Sequence, residues 1–217
     1  MSYIVGDISS MTDEQKVDIA CLPETSKEVL IELSSSENEE VRASVGMNWN
    51  TPIPILMELS DDENDEVRGA IASNENTPQD ILIKFSEDSN EEIIVWVAYN
   101  ESTPKEVLIK LSQSHNEEIR SAVANNGNTP EDILEKLSED NSAEVRAGAS
   151  FNWSLRPELL VKLSKDKDET VRAGVANNPN TPKKILIELS RDESENVREY
   201  LLNNGNTPKG LNIKLSD

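Results

Sequence analysis

One cysteine and one histidine stand among 217 residues. Cys21 alone cannot close an intrachain disulfide or build a multi-cysteine cluster within the chain, which fits a reducing, cytoplasmic setting. His115 has no Cys or second His to join it in a metal site, and its segment QSHNEE reads as a surface loop. Aromatics make up 4% of the chain and hydrophobic residues 35%. That is thin for a globular core of this size, but adequate for a stack in which each unit packs only on its neighbours. No apolar run approaches the roughly 18 residues of a membrane span, so no membrane contact is expected. The opening MSYIVGDISSMTDEQK lacks a basic stretch followed by an apolar one, so no signal peptide is expected. P-loop, GxGxxG, HExxH and GxSxG patterns are missing. The acid run SDDENDE at 60–66 has Glu66 where a calcium loop needs Gly. The expectation is a non-catalytic chain with no catalytic residue, no metal site and no cofactor.

Basic residues are scarce in one half. Residues 1–102 carry 23 acidic and 5 basic side chains; residues 103–217 carry 19 and 16, for a net charge of −21 over the chain. A phosphate-binding surface needs the opposite sign, so direct nucleic-acid binding is not expected. The acidic half can attract a basic partner, or can serve solubility alone.

What the chain does have is one phrase written repeatedly: ASNENTPQDILIKFSED at 72–88, ANNGNTPEDILEKLSED at 124–140, ANNPNTPKKILIELSRD at 176–192. Its anchor falls at Thr25, Thr51, Thr77, Thr103, Thr129, Leu155, Thr181 and Thr207, always 26 residues apart. A fixed period of this size marks a solenoid or array. Thr reads as a helix N-cap with Pro at the first helical position. Asp80, Glu106 and Asp132, three residues on, suit the helix dipole and a capping box. Ile81, Leu82 and Phe85, or Ile133, Leu134 and Leu137, form one helical face. The position nine residues on is Ser in every copy, from Ser34 to Ser216. It reads as a hydroxyl bonded to the preceding helical turn, not as a nucleophile.

A second short helix follows. Asn38, Asn64, Asn90, Asn116, Ser142, Asp168 and Ser194 are its N-caps. A Val–Arg-type pair supplies the column Arg42, Arg68, Arg120, Arg146, Arg172 and Arg198; Ile94 interrupts it. Each unit closes on an Asn: Asn48, Asn74, Asn100, Asn126, Asn152, Asn178 and Asn204. Asn tolerates the left-handed conformation that ends a helix, and its amide can bond a neighbouring backbone. One such unit cannot bury its own apolar face, and stacking makes a continuous core. Thr12 to Gln15 is a capping box opening a half-unit, and TPKGLNIKLSD begins a unit with Asn212 where other copies have Leu. The expected architecture is all-α: a solenoid of about seven 26-residue helix–turn–helix repeats with half-repeat caps. It forms one domain over 1–217, with a cap at 1–24, repeats at 25–206 and a half-repeat at 207–217.

The pattern LSxDxxxxVRxxVAxNxxTPxxxLxxL, over about residues 12–217, resembles the leucine-rich repeat variant family and, more loosely, HEAT-like repeats. The resemblance implies a right-handed superhelix of paired short helices, one with 3₁₀ character. HEAT-like kinship implies that Asp62, Asp88, Asp140, Asp166 and Asp192 join the Arg column in a ladder between repeats. Some family members carry an N-terminal cysteine cluster holding iron–sulfur; Cys21 alone does not carry that redox role over. HEAT-like DNA-repair enzymes line their groove with basic residues, and the acidic balance here is the reverse.

The aromatics depart from the repeat. Positions 18 and 22 after the anchor should face away from the core, and the second of these reads Met47, Ser73, Tyr99, Asn125, Phe151, Asn177 and Asn203. Trp49 and Trp153 stand beside Met47 and Phe151, and Trp96 lies three residues before Tyr99. Met47, Trp49, Trp96, Tyr99, Phe151 and Trp153 are therefore the candidate partner-binding stripe, with local packing as the plainer alternative. The leading expectation is a scaffold whose curved inner face grips a protein or peptide, a basic one being favoured by charge. The second is an acidic decoy that occupies a nucleic-acid-binding protein through the N-terminal carboxylates.

Overall fold

The computed structural model describes residues 8–211 and 213–215. Asn212 and Ser216, read above as a cap residue and the last of the Ser column, lie outside the described residues, as does the opening segment 1–7. Fifteen α-helices follow a short 3₁₀ turn at Ile8–Ser10, and no strand occurs among the described residues. They are α1 Asp13–Cys21, α2 Lys27–Leu33, α3 Glu39–Met47, α4 Ile53–Leu59, α5 Asp65–Ser73, α6 Gln79–Phe85, α7 Glu91–Tyr99, α8 Lys105–Leu111, α9 Glu117–Asn125, α10 Glu131–Leu137, α11 Ala143–Phe151, α12 Pro157–Leu163, α13 Glu169–Asn177, α14 Lys183–Leu189 and α15 Glu195–Asn203. First helices of seven residues alternate with second helices of nine. Helices this short are not stable alone in water; packing sustains them.

The chain divides into two compact units, Met1–Pro104 and Lys105–Asp217. In the first, α1, α3, α5 and α7 stack side by side; in the second, α9, α11, α13 and α15 do the same. Within each unit the first helices lie against the second helices beside them, as α2 does on α1 and α3 and α10 does on α9 and α11. The first helices bury the positions four, five and eight residues after the anchor, such as Val29, Leu30 and Leu33 or Ile81, Leu82 and Phe85. The second helices bury the Val of the Val–Arg pair and the residue four later, such as Val41 with Val45. Close approach of neighbouring second helices demands glycine in places. A Cβ on Gly148 would sit 3.1 Å from the Ser121 carbonyl oxygen, and one on Gly174 would overlap Ser150 Oγ and lie 2.9 Å from Phe151 Cδ2.

The corner between units differs from its sequence reading in two ways. Thr is not the N-cap of the first helix. Pro52, Pro78, Pro130 and Pro182 hold that position in extended conformation with no side-chain cap bond, and Ser26 and Arg156 hold it in two other repeats. These Pro residues have ψ of 139 to 146, far from a helical value, so each helix begins one residue later. The Thr hydroxyl turns back and donates to a carbonyl near the end of the preceding second helix, Thr51 to Val45 at 2.5 Å and Thr77 to Ile71 at 2.6 Å. Helix ends leave such carbonyls without a helical partner. Asp80 and Asp132 therefore complete no capping box, whereas Thr12 and Gln15 do exchange both bonds of one.

The closing Asn is not left-handed either. Asn48 has φ −72 and ψ 127, and no non-glycine described residue has positive φ. Its amide does the work instead. Asn48 Nδ2 donates to the carbonyls of Ala20 and Leu22 at 2.6 and 2.9 Å, while Oδ1 accepts the Asn50 N–H. Asn74, Asn100, Asn152, Asn178 and Asn204 repeat the pattern onto the repeat before. Asn126 Oδ1 accepts the Asn128 N–H at 2.9 Å. Each described Ser of the nine-on column, from Ser34 to Ser190, donates back one turn, as Ser34 does to Ile31 at 2.8 Å. The first helices are α-helical, with three-residue bonds closing their ends, such as Ile55 N–H to Pro52 and Asp62 N–H to Leu59. No helix forms in 207–211 or 213–215; Gly210 takes φ +86 there, and Ile213 packs partly on the core of the second unit.

Candidate partner-binding face

Five Arg side chains each reach one repeat forward. Arg42, Arg68, Arg120, Arg146 and Arg172 donate from Nε, at 2.7–3.0 Å, and from Nη2 to the carboxylates of Asp62, Asp88, Asp140, Asp166 and Asp192. Nη1 of each satisfies two carbonyls in the loop before its own helix, such as Ser36 and Glu37 for Arg42. The Asp Oδ1 also accepts the N–H two residues on, at 2.9 Å in Asp62. Such bidentate, charge-assisted pairs link one repeat to the next. Arg42 and Arg120 hold Asp62 and Asp140 below the usual carboxylate range. At Asp88, Asp166 and Asp192 burial is the largest influence and pushes upward, but the Arg bonds, the backbone N–H and nearby charge outweigh it. Arg198 donates from Nε to the Lys214 carbonyl rather than to a carboxylate. The ladder and the helix caps also account for the SDDENDE run: Asp62 meets Arg42, Asn64 caps α5, and Asp65 meets Arg68 and Asn90. Among the described residues no group of three His, Cys, Asp or Glu side chains is placed to hold a metal ion.

The candidate stripe lies elsewhere, on the outer side of the second helices and at their corners. All three tryptophans are exposed: Trp49 by 75%, Trp153 by 69% and Trp96 by 43%. Met47 and Tyr99 are exposed by 58% and 44%. Trp49 and Trp153 follow α3 and α11 in the corner, where their carbonyls are fixed by Asn76 and Asn180 while the rings stand free of the core. Phe151 differs. It is half-buried and meets Tyr200 edge-on at 5.5 Å. Position 18 does not face outward throughout, since Ser121 and Ala173 are buried where helices approach closely.

In the first unit the outer face carries a groove of about 540 Å³ across α3, α5 and α7. Ala43, Gly69, Ala70 and Ile93 form its floor, Met47 and Trp96 its sides, and Asp65, Glu66 and Glu92 its acidic rim. Gly69 leaves room for the Trp96 ring, whose Cδ1 would lie 3.8 Å from a Cβ built there. Trp96 and Tyr99 are tilted neighbours at 6.4 Å.

One exposed apolar column escaped the sequence reading. Ile31, Met57, Ile83, Ile109, Val161 and Ile187 stand six residues after the anchor, on the outer side of the first helices. Glu135 interrupts the column and pairs with Arg156. Its signal was a fourth recurrent aliphatic position, beyond the three of the core set, which a one-sided helix does not need.

No family model matches the chain, and no curated protein matches it. Among solved structures, a leucine-rich repeat variant with a novel repetitive structural motif superposes with a TM-score of 0.54 at 25% identity, covering 89% of this chain and 81% of its own. An engineered protein gives 0.43 at 18% identity, with coverage of 90% and 75%. A designed armadillo repeat protein in complex with the peptide (KR)4 gives 0.31 at 23% identity, with coverage of 87% and 96%. The last two superpose too loosely to argue from. The chain is an all-α repeat solenoid that resembles the leucine-rich repeat variants. No helix of the described residues is long and apolar enough to cross a membrane.

Proposed function

We propose that this chain is a non-catalytic scaffold that holds a protein or peptide on the solvent-exposed side of its second helices, the place of the curved inner face expected from sequence, in a reducing, cytoplasmic setting. One observation carries the reading: every tryptophan of an aromatic-poor chain is exposed. Large rings left in water cost hydration free energy and become hot spots once a partner covers them. Phe151 is assigned to packing, and the Arg and Asn columns to architecture. The lone, exposed Cys21 supports a reducing setting.

The test compares stability with binding. Trp49→Ala and Trp153→Ala should leave the unfolding midpoint within about 0.5 kcal/mol of the parent. Capture of a partner from the native cell should weaken by about 1–4 kcal/mol in the same variants. A stability loss of about 3–5 kcal/mol with capture unchanged would show that the rings are packing residues.

A second reading keeps a specific support. The net charge of −18 over residues 1–102 suits an acidic decoy for a nucleic-acid-binding protein. A decoy contact depends on the Asp and Glu side chains of the first repeats and weakens steeply with salt, whereas a ring-mediated contact hardly does.

A further inference from the structure

The α7 helix, EEIIVWVAY, is the only second helix from α3 to α15 without an Arg; Ile94 stands where the column would continue. It carries two Glu and no cation of its own. The two Arg side chains of the neighbouring second helices are committed elsewhere, Arg42 to Asp62 and Arg68 to Asp88 and Asp65. Asp65 is engaged by both Arg68 and Asn90. Glu66 and Glu92 are exposed and meet no cation among the described residues. They flank the same groove as the Trp96 ring. Glu92 is one helical turn before Trp96, so both project from one side of α7. In five other repeats the position equivalent to Trp96 holds a small residue, Ser44, Ala70, Ala122, Gly148 or Gly174. The ring is thus a local addition, placed where negative charge has no resident counterion.

Resting on the scaffold reading, we propose that this groove takes a partner segment carrying one Arg or Lys between apolar residues. The cation lies against the Trp96 ring with Glu92 and Glu66 beside it, and the apolar neighbours settle on Met47 and Ala70. An aromatic face attracts a cation, and water-poor surroundings strengthen the attraction. Adjacent carboxylates set the sign of the charge accepted, and the apolar floor supplies contact area.

The test titrates the full chain with three short peptides that share apolar flanks and differ at one central residue: arginine, its neutral isostere citrulline, or glutamate. Binding is read from the Trp96 indole resonance, with those of Trp49 and Trp153 as internal references. The arginine peptide should shift the Trp96 resonance saturably. The citrulline peptide should bind about tenfold or more weakly, a hot-spot-sized loss, and the glutamate peptide weaker still. Glu92→Gln and the groove-filling Gly69→Leu should each weaken the arginine peptide at the Trp96 resonance, Trp96→Leu should weaken it by titration calorimetry, and Trp153→Leu should leave it unchanged by either readout. Equal binding of the arginine and citrulline peptides at Trp96 would overturn the cation subsite and leave an apolar groove, so the scaffold reading would survive. Absence of any shift at Trp96 with all three peptides would overturn the groove proposal, and the scaffold reading would then stand or fall on the Trp49 and Trp153 variants alone.

Discussion

At the scale of single residues, this fold runs on side-chain donors aimed at helix-terminal carbonyls. The Thr77 hydroxyl donates to the Ile71 carbonyl at 2.6 Å in a buried corner. A carboxylate accepts but cannot donate when ionised. Thr77→Ser should therefore be nearly neutral, while Thr77→Asp should cost about 1–3 kcal/mol by leaving a buried acceptor unmet. An N-cap would tolerate Asp as readily as Thr, so an unchanged denaturation midpoint for Thr77→Asp would restore the capping role. The Arg–Asp pairs add a pH dependence. Five Asp groups are held below their ordinary range in the folded chain. A depressed folded value gives stability that is fully present above the unfolded Asp value of about 3.9 and is lost as pH falls through the folded values. The ladder should contribute steadily from neutral pH down to about 4 and fade below it. Melting curves across that range should fall less steeply on the acid side for Asp166→Asn than for the parent, since that carboxylate no longer titrates.

At the scale of elements, helix-to-helix distance decides what a glycine is for. Gly69 on α5 faces an open groove, and the nearest atom to an added Cβ is Trp96 Cδ1 at 3.8 Å, an ordinary contact. Gly69→Ala should stabilise by about 0.5–1 kcal/mol through helix propensity. Gly174 sits on α13 where α11 comes closest, and an added Cβ would overlap Ser150 Oγ. Gly174→Ala should destabilise by about 1–3 kcal/mol despite the same gain in propensity. Chemical denaturation of the two variants side by side reads the sign directly. Equal shifts would mean that α11 and α13 are not in close contact.

At the scale of the whole molecule, charge is distributed unevenly along a regular stack. Residues 1–102 carry −18 of the net −21. Like charges on the second-helix N-termini, such as Glu39 and Glu40 or Glu91 and Glu92, repel one another in addition to serving the helix dipoles. Added salt screens that repulsion at exposed sites. Raising ionic strength should slow hydrogen exchange in α5 more than in α13. Equal protection in both helices would show that the acidic half bears no electrostatic strain.

The 26-residue spacing, the apolar set of each helix and the Asn and Asp caps of the second helices were legible in the sequence because all rest on local rules; Ser142 and Ser194 hold the cap position without a side-chain cap bond. Period, amphipathic face and cap chemistry are written within a few residues of one another. The Thr bond in the corner was not legible, and for Asn only an amide able to bond a neighbouring backbone was, because the partner depends on which carbonyl lies within reach. For Thr77 that carbonyl is six residues back, and for Asn178 it belongs to Ser150 and Asn152 in the preceding repeat. The same holds for the rings. Sequence placed Phe151 and Met47 in one column, yet Tyr200 covers Phe151 while Met47 stands exposed. A repeat fixes the face on which a side chain emerges, but only the neighbouring repeat's own residues decide whether that face is filled. Trp96 is the plainest case: its position is small in most repeats, and its ring settles beside Gly69 of the repeat before.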